Sequence, residues 1–164
     1  MNPLSTCDLC DAHREAPAER LRVLPPVFRD FGARTRFHGT VSTVKCFEDN
    51  SSVRDAVQSP GNGRVLVVDG GGSLRRALLG GNLATAAESN GWSGVVIFGA
   101  VRDHDELARC QIGIRALALV PMPPAKRHAG LVDQPVQIDG VWVAPGEWLV
   151  ADEDGIVVMP VAPR

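Results

Sequence analysis

Residues 64–110 read RVLVVDGGGSLRRALLGGNLATAAESNGWSGVVIFGAVRDHDELARC, and this stretch predicts the centre of the fold. Two short β-branched runs, at residues 65–68 and 95–98, are each followed at once by a glycine-containing turn and polar residues. Apolar runs bounded by turn signals are typical of buried strands, and the apolar or small residues within 83–89 predict a helix between them. The stretch therefore predicts a parallel β-α-β unit, whose working groups lie just past the carboxyl ends of the strands.

Antiparallel hairpins are expected at the C-terminal end. Asp139-Gly140 suits a tight type I′ turn, so residues 136–138 and 141–143 are predicted to pair. Further strands are predicted at residues 36–46 (half exposed), 115–120, 146–151 and 155–159. The predicted fold class is α/β, with a central parallel β-α-β unit and C-terminal antiparallel hairpins, in a single domain over residues 1–164.

Composition excludes several functional classes. The chain carries 17 Lys plus Arg against 19 Asp plus Glu, for a net charge of -2, which argues against electrostatically driven nucleic-acid binding. No apolar stretch is long enough to span a bilayer, and the N-terminus lacks the basic and apolar regions of a secretory signal. We expect a cytoplasmic protein with no direct nucleic-acid or membrane partner.

Cys7 and Cys10 have C-x-x-C spacing, which can serve zinc or redox chemistry. A structural zinc site needs a second pair of ligands, and none follows at suitable spacing. The favoured interpretation is an N-terminal helix whose thiols stay free in a reducing compartment.

Gly80-Gly81-Asn82-Leu83 opens the predicted helix of the central stretch. The first amides of a helix have no partners within it, so a glycine approach to a helix start can cradle a carboxylate or phosphate. The alternative is an ordinary tight turn capped by Asn82.

Arg102-Asp103 directly follows the second central strand. The planar fork of an Arg can hold an anionic or carbonyl oxygen, and an Asp can hold a hard divalent cation. Mg²⁺ commonly keeps several waters, so one Asp suffices where the substrate supplies other ligands. The alternative is a surface ion pair on a loop.

Two other groups carry weaker signals. Asp69-Gly70-Gly71-Gly72 lacks the Gly-Lys-Ser/Thr ending of a P-loop and does not match G-x-G-x-x-G, which disfavours a methyltransferase or dehydrogenase. Lys126-Arg127-His128 can contact an anion, although a solvated loop is the favoured interpretation.

Four runs resemble the regulator of ribonuclease E activity A family, which also contains the class II 4-hydroxy-4-methyl-2-oxoglutarate aldolases. They are VKCFEDN at 44–50, RVLVVDGGGSLRRA at 64–77, GAVRD at 99–103 and ADEDGI at 151–156. The resemblance extends from about residue 6 to residue 158. It implies a swivelling β/β/α fold, and a ring-shaped homotrimer, or a hexamer of paired trimers, with active sites at subunit boundaries.

The same resemblance implies an activity and a set of site residues. Asp103 matches the Asp near the divalent metal, Mg²⁺ or Mn²⁺, and Arg102 matches the substrate-binding Arg. The backbone amides from Gly80 to Leu83 match the loop that receives the pyruvate carboxylate. The implied reaction is retro-aldol release of pyruvate from a 2-keto acid, with oxaloacetate decarboxylation as a second activity because it needs the same enolate.

The chain departs from the aldolase pattern at Gly81, where aldolase members usually carry an Asp twenty-one positions ahead of the Arg. Asp69, or a carboxylate such as Glu147, Glu153 or Asp154 from a neighbouring subunit, could take its place. The competing hypothesis is a protein-binding regulator that inhibits a ribonuclease E-type partner. Retention of Asp103 favours metal chemistry, since regulator members can lack that Asp.

Overall fold

A computed structural model of the chain describes residues 5–163. The predicted domain over 1–164 extends beyond that range at both ends. The described helices are short, and a single 3-10 turn lies at Ala18–Arg20. The α-helices in this part of the chain are α1 (Thr6–Ala12), α2 (Ser51–Val57), α3 (Gly81–Ser89) and α4 (His104–Arg109). None of the helices within residues 5–163 is long and apolar enough to cross a membrane.

The strands make up most of the regular structure. They are β1 (Arg22–Val23), β2 (Arg29–Asp30), β3 (Phe37–Lys45), β4 (Val65–Asp69), β5 (Ala77–Leu79), β6 (Gly94–Val101), β7 (Gly113–Leu119), β8 (Leu131–Val132), β9 (Val136–Ile138), β10 (Val141–Val143), β11 (Trp148–Ala151) and β12 (Ile156–Met159).

One mixed sheet contains all of these strands except β9 and β10. Its order is β1-β12-β11-β3-β4-β6-β7-β2, with β5 pairing to β6 and β8 to β3 outside that path. The central strands β3, β4, β6 and β7 run parallel, whereas β11, β12 and β1 pair antiparallel. The predicted α/β fold, with a parallel β-α-β centre and C-terminal antiparallel hairpins, is therefore confirmed.

The small hairpin of β9 and β10 turns at Asp139 and Gly140, both in the left-handed region with φ of 47° and 86°. That is the conformation a type I′ turn requires, and Asp-Gly adopts it readily.

The central strands are buried on both faces. Along β4, Leu66 and Val68 belong to one apolar cluster with the helices α2 and α3, whereas Val65 and Val67 face a second cluster with β9, β10 and β11. Successive strand residues point to opposite faces, so two covered faces demand a continuous apolar run. This accounts for the unbroken β-branched pattern of the sequence.

Several features differ from the sequence-based expectation, among them the two-residue strands β1, β2 and β8, which were not expected. The strand expected to be half exposed, β3, is mostly buried because one face packs with α2 and the other with β9 and β10. The short strand β5 and the helix α4 were not expected. Both border the cleft described next, since β5 and β6 pair in parallel with Leu79 opposite Val101.

Candidate active site

A cleft of about 190 Å³ opens where β5 and β6 end side by side. The N–H of Arg102 donates to the carbonyl of Leu79 at 3.0 Å, which locks the two strand ends together. Five of the six predicted site residues line this cleft: Gly80, Asn82, Leu83, Arg102 and Asp103. The sixth, Gly81, lies at the start of α3, where it contacts the carboxylate of Asp103.

Asp103 joins β6 to α4 in a left-handed conformation, with φ of 63° and ψ of 50°. This turn brings its Oδ2 to 2.9 Å from the backbone nitrogen of Gly81, which donates a hydrogen bond to it. Arg102 Nε lies 3.8 Å from the same oxygen, and both side chains keep about two-fifths of their surface exposed. The pair is therefore anchored and also open to a ligand.

The two glycines make room for carboxylates. A Cβ at Gly80 would lie 2.5 Å from Asp103 Oδ2 and 3.3 Å from Arg102 Cγ. A Cβ at Gly81 would overlap Glu106 Oε2 and lie 2.6 Å from Glu106 Cδ. Neither glycine has a positive φ, so close approach and not backbone conformation explains why glycine occurs at both positions.

Glu106 is a candidate that the sequence reasoning missed. It lies one turn into α4, three residues after Asp103, and its carboxylate covers Gly81. An Asp at the start of a helix followed three residues later by Glu is the capping-box spacing, and that signal could have placed both carboxylates at one helix end. The volume that a side chain at position 81 would need is thus filled by Glu106.

The other residues considered for that carboxylate lie elsewhere within one chain. Asp69 Oδ1 accepts the Gly71 N–H and shapes the Gly70-Gly71-Gly72 turn. Glu147 pairs with Arg22, and Glu153 pairs with Arg36, both outside the cleft. Whether Glu147, Glu153 or Asp154 reaches a neighbouring subunit's cleft stays a prediction.

Arg54 of α2 and Lys126 of the 121–130 loop also line the cleft. Together with Arg102 they give the cleft three positively charged lining side chains, against one lining carboxylate, Asp103. Arg54 has a neighbour in Asp55, at 3.2 Å between Nη2 and Oδ1. Lys126 is exposed, as expected for a solvated loop, and it also lines the cleft. The excess of positive charge favours a ligand with more than one negative group.

Asn50, just before α2, lines the cleft as well and is 8% exposed. Its Oδ1 is buried and has no hydrogen-bond partner among the described protein atoms. A buried acceptor left alone is costly, so this oxygen is suited to a donor supplied by a ligand.

The thiols do not form a comparable site. In residues 5–163 no three His, Cys, Asp or Glu side chains come together as metal ligands. The hydrogen bond and the charge of Asp154 raise the pKa of Cys7, and burial raises the pKa of Cys10. Burial also raises the pKa of Cys46, to about 12. These thiols stay protonated at neutral pH, which makes them poor nucleophiles.

The known proteins that are similar to this chain include some named as aldolases and one titled as an RNA-processing inhibitor. Residues 6–158 match the family described as RraA-like, Aldolase/RraA. A protein of Albidiferax ferrireducens named "Putative 4-hydroxy-4-methyl-2-oxoglutarate aldolase" is 62% identical over 162 residues, covering 94% of each chain. The RNA-processing inhibitor RraA from Thermus thermophilis superposes with a TM-score of 0.93 at 50% identity, covering 98% of this chain and 95% of that one. A Geobacillus kaustophilus structure titled as an S-adenosylmethionine: 2-dimethylmenaquinone methyltransferase gives 0.92 at 39%, covering 97% and 96%.

Proposed function

The chain belongs to the RraA-like family, and on that premise we propose that it is a divalent-metal-dependent carbon–carbon lyase that releases pyruvate. The proposed substrates are 4-hydroxy-4-methyl-2-oxoglutarate, cleaved by a retro-aldol reaction, and oxaloacetate, decarboxylated as a second activity. The observation that carries the proposal is the meeting of Arg102, Asp103 and the first turn of α3 in one cationic cleft. The name of the Albidiferax relative supports it.

The first turn of α3 is proposed to receive the carboxylate next to the keto group. Its N–H groups have no acceptors inside the helix, and the helix start is electropositive. Gly81 N–H is already used by Asp103, so the amides of Asn82 and Leu83 are the candidates. Arg102 reaches the same region and would stabilise an oxygen that becomes negative during bond cleavage.

The second carboxylate of either substrate needs a cationic partner. Arg54 of α2 and Lys126 of the 121–130 loop both line the cleft. Both proposed substrates are dianions, which matches this distribution of charge. Asn50 Oδ1, buried without a protein partner, would accept the hydrogen of the substrate's 4-hydroxyl group.

Asp103 and Glu106 are the residues proposed to hold the metal. Their carboxylates approach Gly81 from one helix end and supply the hard oxygen ligands that Mg²⁺ and Mn²⁺ prefer. Two carboxylates fit a cation that keeps water and substrate oxygens as its other ligands. When bound, the metal would act as a Lewis acid for the negative charge that develops on the keto oxygen.

The bond changes are the same in kind for both substrates. In the aldol cleavage water accepts the proton of the 4-hydroxyl, whose oxygen becomes the carbonyl oxygen of one pyruvate. The bond between carbons 3 and 4 breaks, and its electron pair forms the double bond between carbons 2 and 3 as the 2-keto oxygen becomes negative. In the decarboxylation the bond to the leaving carboxylate breaks instead, and carbon dioxide departs. Protonation of carbon 3 then gives pyruvate in both cases.

The test is pyruvate release from both substrates with Mg²⁺ or Mn²⁺, with and without a chelator. We expect metal-dependent turnover by the native chain and none by Arg102→Ala or Asp103→Ala. Arg109→Ala and Asp105→Ala are matched controls, because both residues lie on α4 and neither lines the cleft. Absence of metal-dependent turnover would overturn the enzyme proposal, and equal turnover in all variants would overturn the site assignment.

A regulatory role is the second candidate, favoured by the similarity to the Thermus RNA-processing inhibitor. On this alternative the chain would bind a ribonuclease E-type enzyme and inhibit it without using the cleft. Inhibition of a purified ribonuclease E by the native chain, retained in Asp103→Ala, would support a role separate from catalysis.

We further propose that the chain assembles into trimers. Phe47, Leu131 and Val132 are each more than half exposed, and Phe47 and Leu131 line one shallow depression. Contiguous exposed apolar side chains mark surfaces that bind other proteins. The mass in solution tests this, and it distinguishes a trimer from a hexamer.

A further inference from the structure

The 121–130 loop links β7 to β8 and carries Lys126 into the cleft. It has no helix or strand of its own, apart from a single bridge between Ala125 and Asp49. In that bridge, Ala125 N–H donates to the Glu48 carbonyl at 2.8 Å and Asn50 N–H donates to the Ala125 carbonyl at 3.3 Å. The loop is thus held against the segment between β3 and α2.

Asp49 supplies a further tie at the same point. It is 3% exposed, and its two carboxylate oxygens serve different segments. Oδ1 accepts the Ser51 N–H at 2.9 Å at the start of α2, and Oδ2 accepts the N–H of Arg127 in the loop. Ser51 Oγ adds another bond by accepting the His128 N–H at 3.1 Å.

A carboxylate at this position does more than begin a helix. One acceptor would satisfy Ser51, whereas Asp49 presents a second oxygen to a loop 78 residues away in the sequence. Burial would raise the pKa of Asp49, but the hydrogen bonds from Ser51 and Arg127 outweigh it and leave the pKa below its ordinary value. The group is therefore ionised at neutral pH and makes charge-assisted bonds.

The neighbours of Asp49 and Arg127 in sequence are residues that line the cleft. Asn50 follows Asp49, and Lys126 precedes Arg127. The carboxylate thus joins the two backbone segments one residue away from each of these side chains. We propose that Asp49 is a positioning residue that fixes Lys126 in the cleft and thereby sets the affinity for the second anionic group of a dianionic substrate.

The kinetic test of this inference rests on the proposed function, whereas the structural test is independent of it. In Asp49→Asn one acceptor oxygen becomes an N–H₂ donor, so one of the two backbone N–H groups loses its partner. With oxaloacetate and Mn²⁺ we expect KM to rise about tenfold, the equivalent of one charge-assisted hydrogen bond, and kcat to change less than about twofold. When Asp49→Asn is added to a chain that already carries Lys126→Ala, KM should not rise further.

Asp152→Asn is the matched control. Asp152 is 2% exposed and also accepts backbone N–H groups, from Thr6, Asp154 and Gly155, but it lies away from the cleft. The Asp152→Asn variant should be less stable than the native chain and should have the same KM. Ser51→Ala removes the Oγ that accepts the His128 N–H and that also bonds the Asp49 carboxylate. It should raise KM in the same direction by a smaller factor, and it serves if Asp49→Asn does not fold.

Limited digestion with trypsin gives the readout that does not depend on activity, because Lys126 and Arg127 are themselves cleavage sites. We expect faster cleavage after these residues in Asp49→Asn or Ser51→Ala than in the native chain or Asp152→Asn. If the native chain shows no turnover, the proposed function fails and the digestion alone decides this inference. Unchanged cleavage of the loop, or additive effects of Asp49→Asn and Lys126→Ala on KM, would overturn it.

Discussion

Gly81→Ala tests whether Glu106 belongs to the proposed metal site. A Cβ at this position would overlap Glu106 Oε2 and lie 2.6 Å from Cδ and 2.8 Å from Cβ of the same side chain. The carboxylate end of this exposed side chain would turn away, whereas Glu106 Cβ is fixed to the backbone and requires a small shift of α4. The Gly81 N–H would still donate to Asp103.

The expected magnitudes follow from these contacts. Crowding against Glu106 Cβ costs about 1 to 3 kcal/mol, and the higher helix propensity of alanine, less than about 1 kcal/mol at the first position, offsets part of it. The free energy of unfolding should therefore fall by no more than about 3 kcal/mol, and the chain should stay folded. Loss of the Glu106 carboxylate from the site should raise the Mn²⁺ concentration needed for half-maximal rate by about 10- to 100-fold. That corresponds to about 1.4 to 2.7 kcal/mol of metal binding.

The assay is the initial rate of pyruvate release from oxaloacetate across a titration of Mn²⁺, together with thermal unfolding of the same samples. Gly155→Ala is the control, since a Cβ there meets no atom within 4 Å. Glu106→Gln keeps the shape of the side chain and removes its charge, so it should reproduce the weaker metal dependence. If Gly81→Ala and Glu106→Gln both keep the native metal titration, Glu106 is not part of the site.

Three further changes test other parts of the molecule. Arg102→Lys keeps the charge but loses the planar fork, and we expect kcat with oxaloacetate to fall at least about tenfold while the chain keeps its circular dichroism spectrum. Leu131→Asp places a charge on a side chain that is 59% exposed, and it should lower the mass measured by light scattering toward that of one chain without unfolding it. Burial would raise the pKa of Asp152, but hydrogen bonds from Thr6, Asp154 and Gly155 outweigh it and lower that pKa. The stability that Asp152 contributes is therefore complete above the unfolded pKa of about 3.9, and it is lost as pH falls through the folded pKa. The unfolding midpoint of Asp152→Asn should therefore vary less than that of the native chain below about pH 4, as a series of thermal melts would show.

The parallel centre could be predicted because its signals are local. Residues 65–68 and 95–98 are uninterrupted apolar runs, and Asp139-Gly140 fixes a turn by its own conformational preference. β3 was wrongly expected to be half exposed, because one of its faces is covered by β9 and β10, which lie far along the chain. β5 has three residues and was missed because its pairing to β6, and not its own pattern, makes it a strand.

The site was predicted in part for the same reason. Arg102-Asp103 follow β6, a strand whose end could be recognised, whereas Gly80 to Leu83 could be singled out only as a glycine approach to a helix start. Their approach to one another depends on the parallel pairing of β5 with β6, which the sequence did not predict. Neither Lys126 nor Glu106 directly follows a strand that the sequence predicts. Lys126 reaches the cleft only through a loop tied down by Asp49, and Glu106 depends on a helix that begins in a left-handed residue.

Glycine at positions 80 and 81 is best explained by the carboxylates beside it. A Cβ at Gly80 would crowd Asp103, and a Cβ at Gly81 would displace Glu106, so the two glycines let α4 bring two negative groups against the start of α3. A helix start is electropositive, which lowers the cost of holding two carboxylates near each other and near a bound cation. The resemblance to the aldolases implies that an Asp would usually stand at the position of Gly81. Here Glu106 of α4 places its carboxylate in the volume that a side chain at position 81 would occupy. An acidic group is therefore present at that point although residue 81 is a glycine.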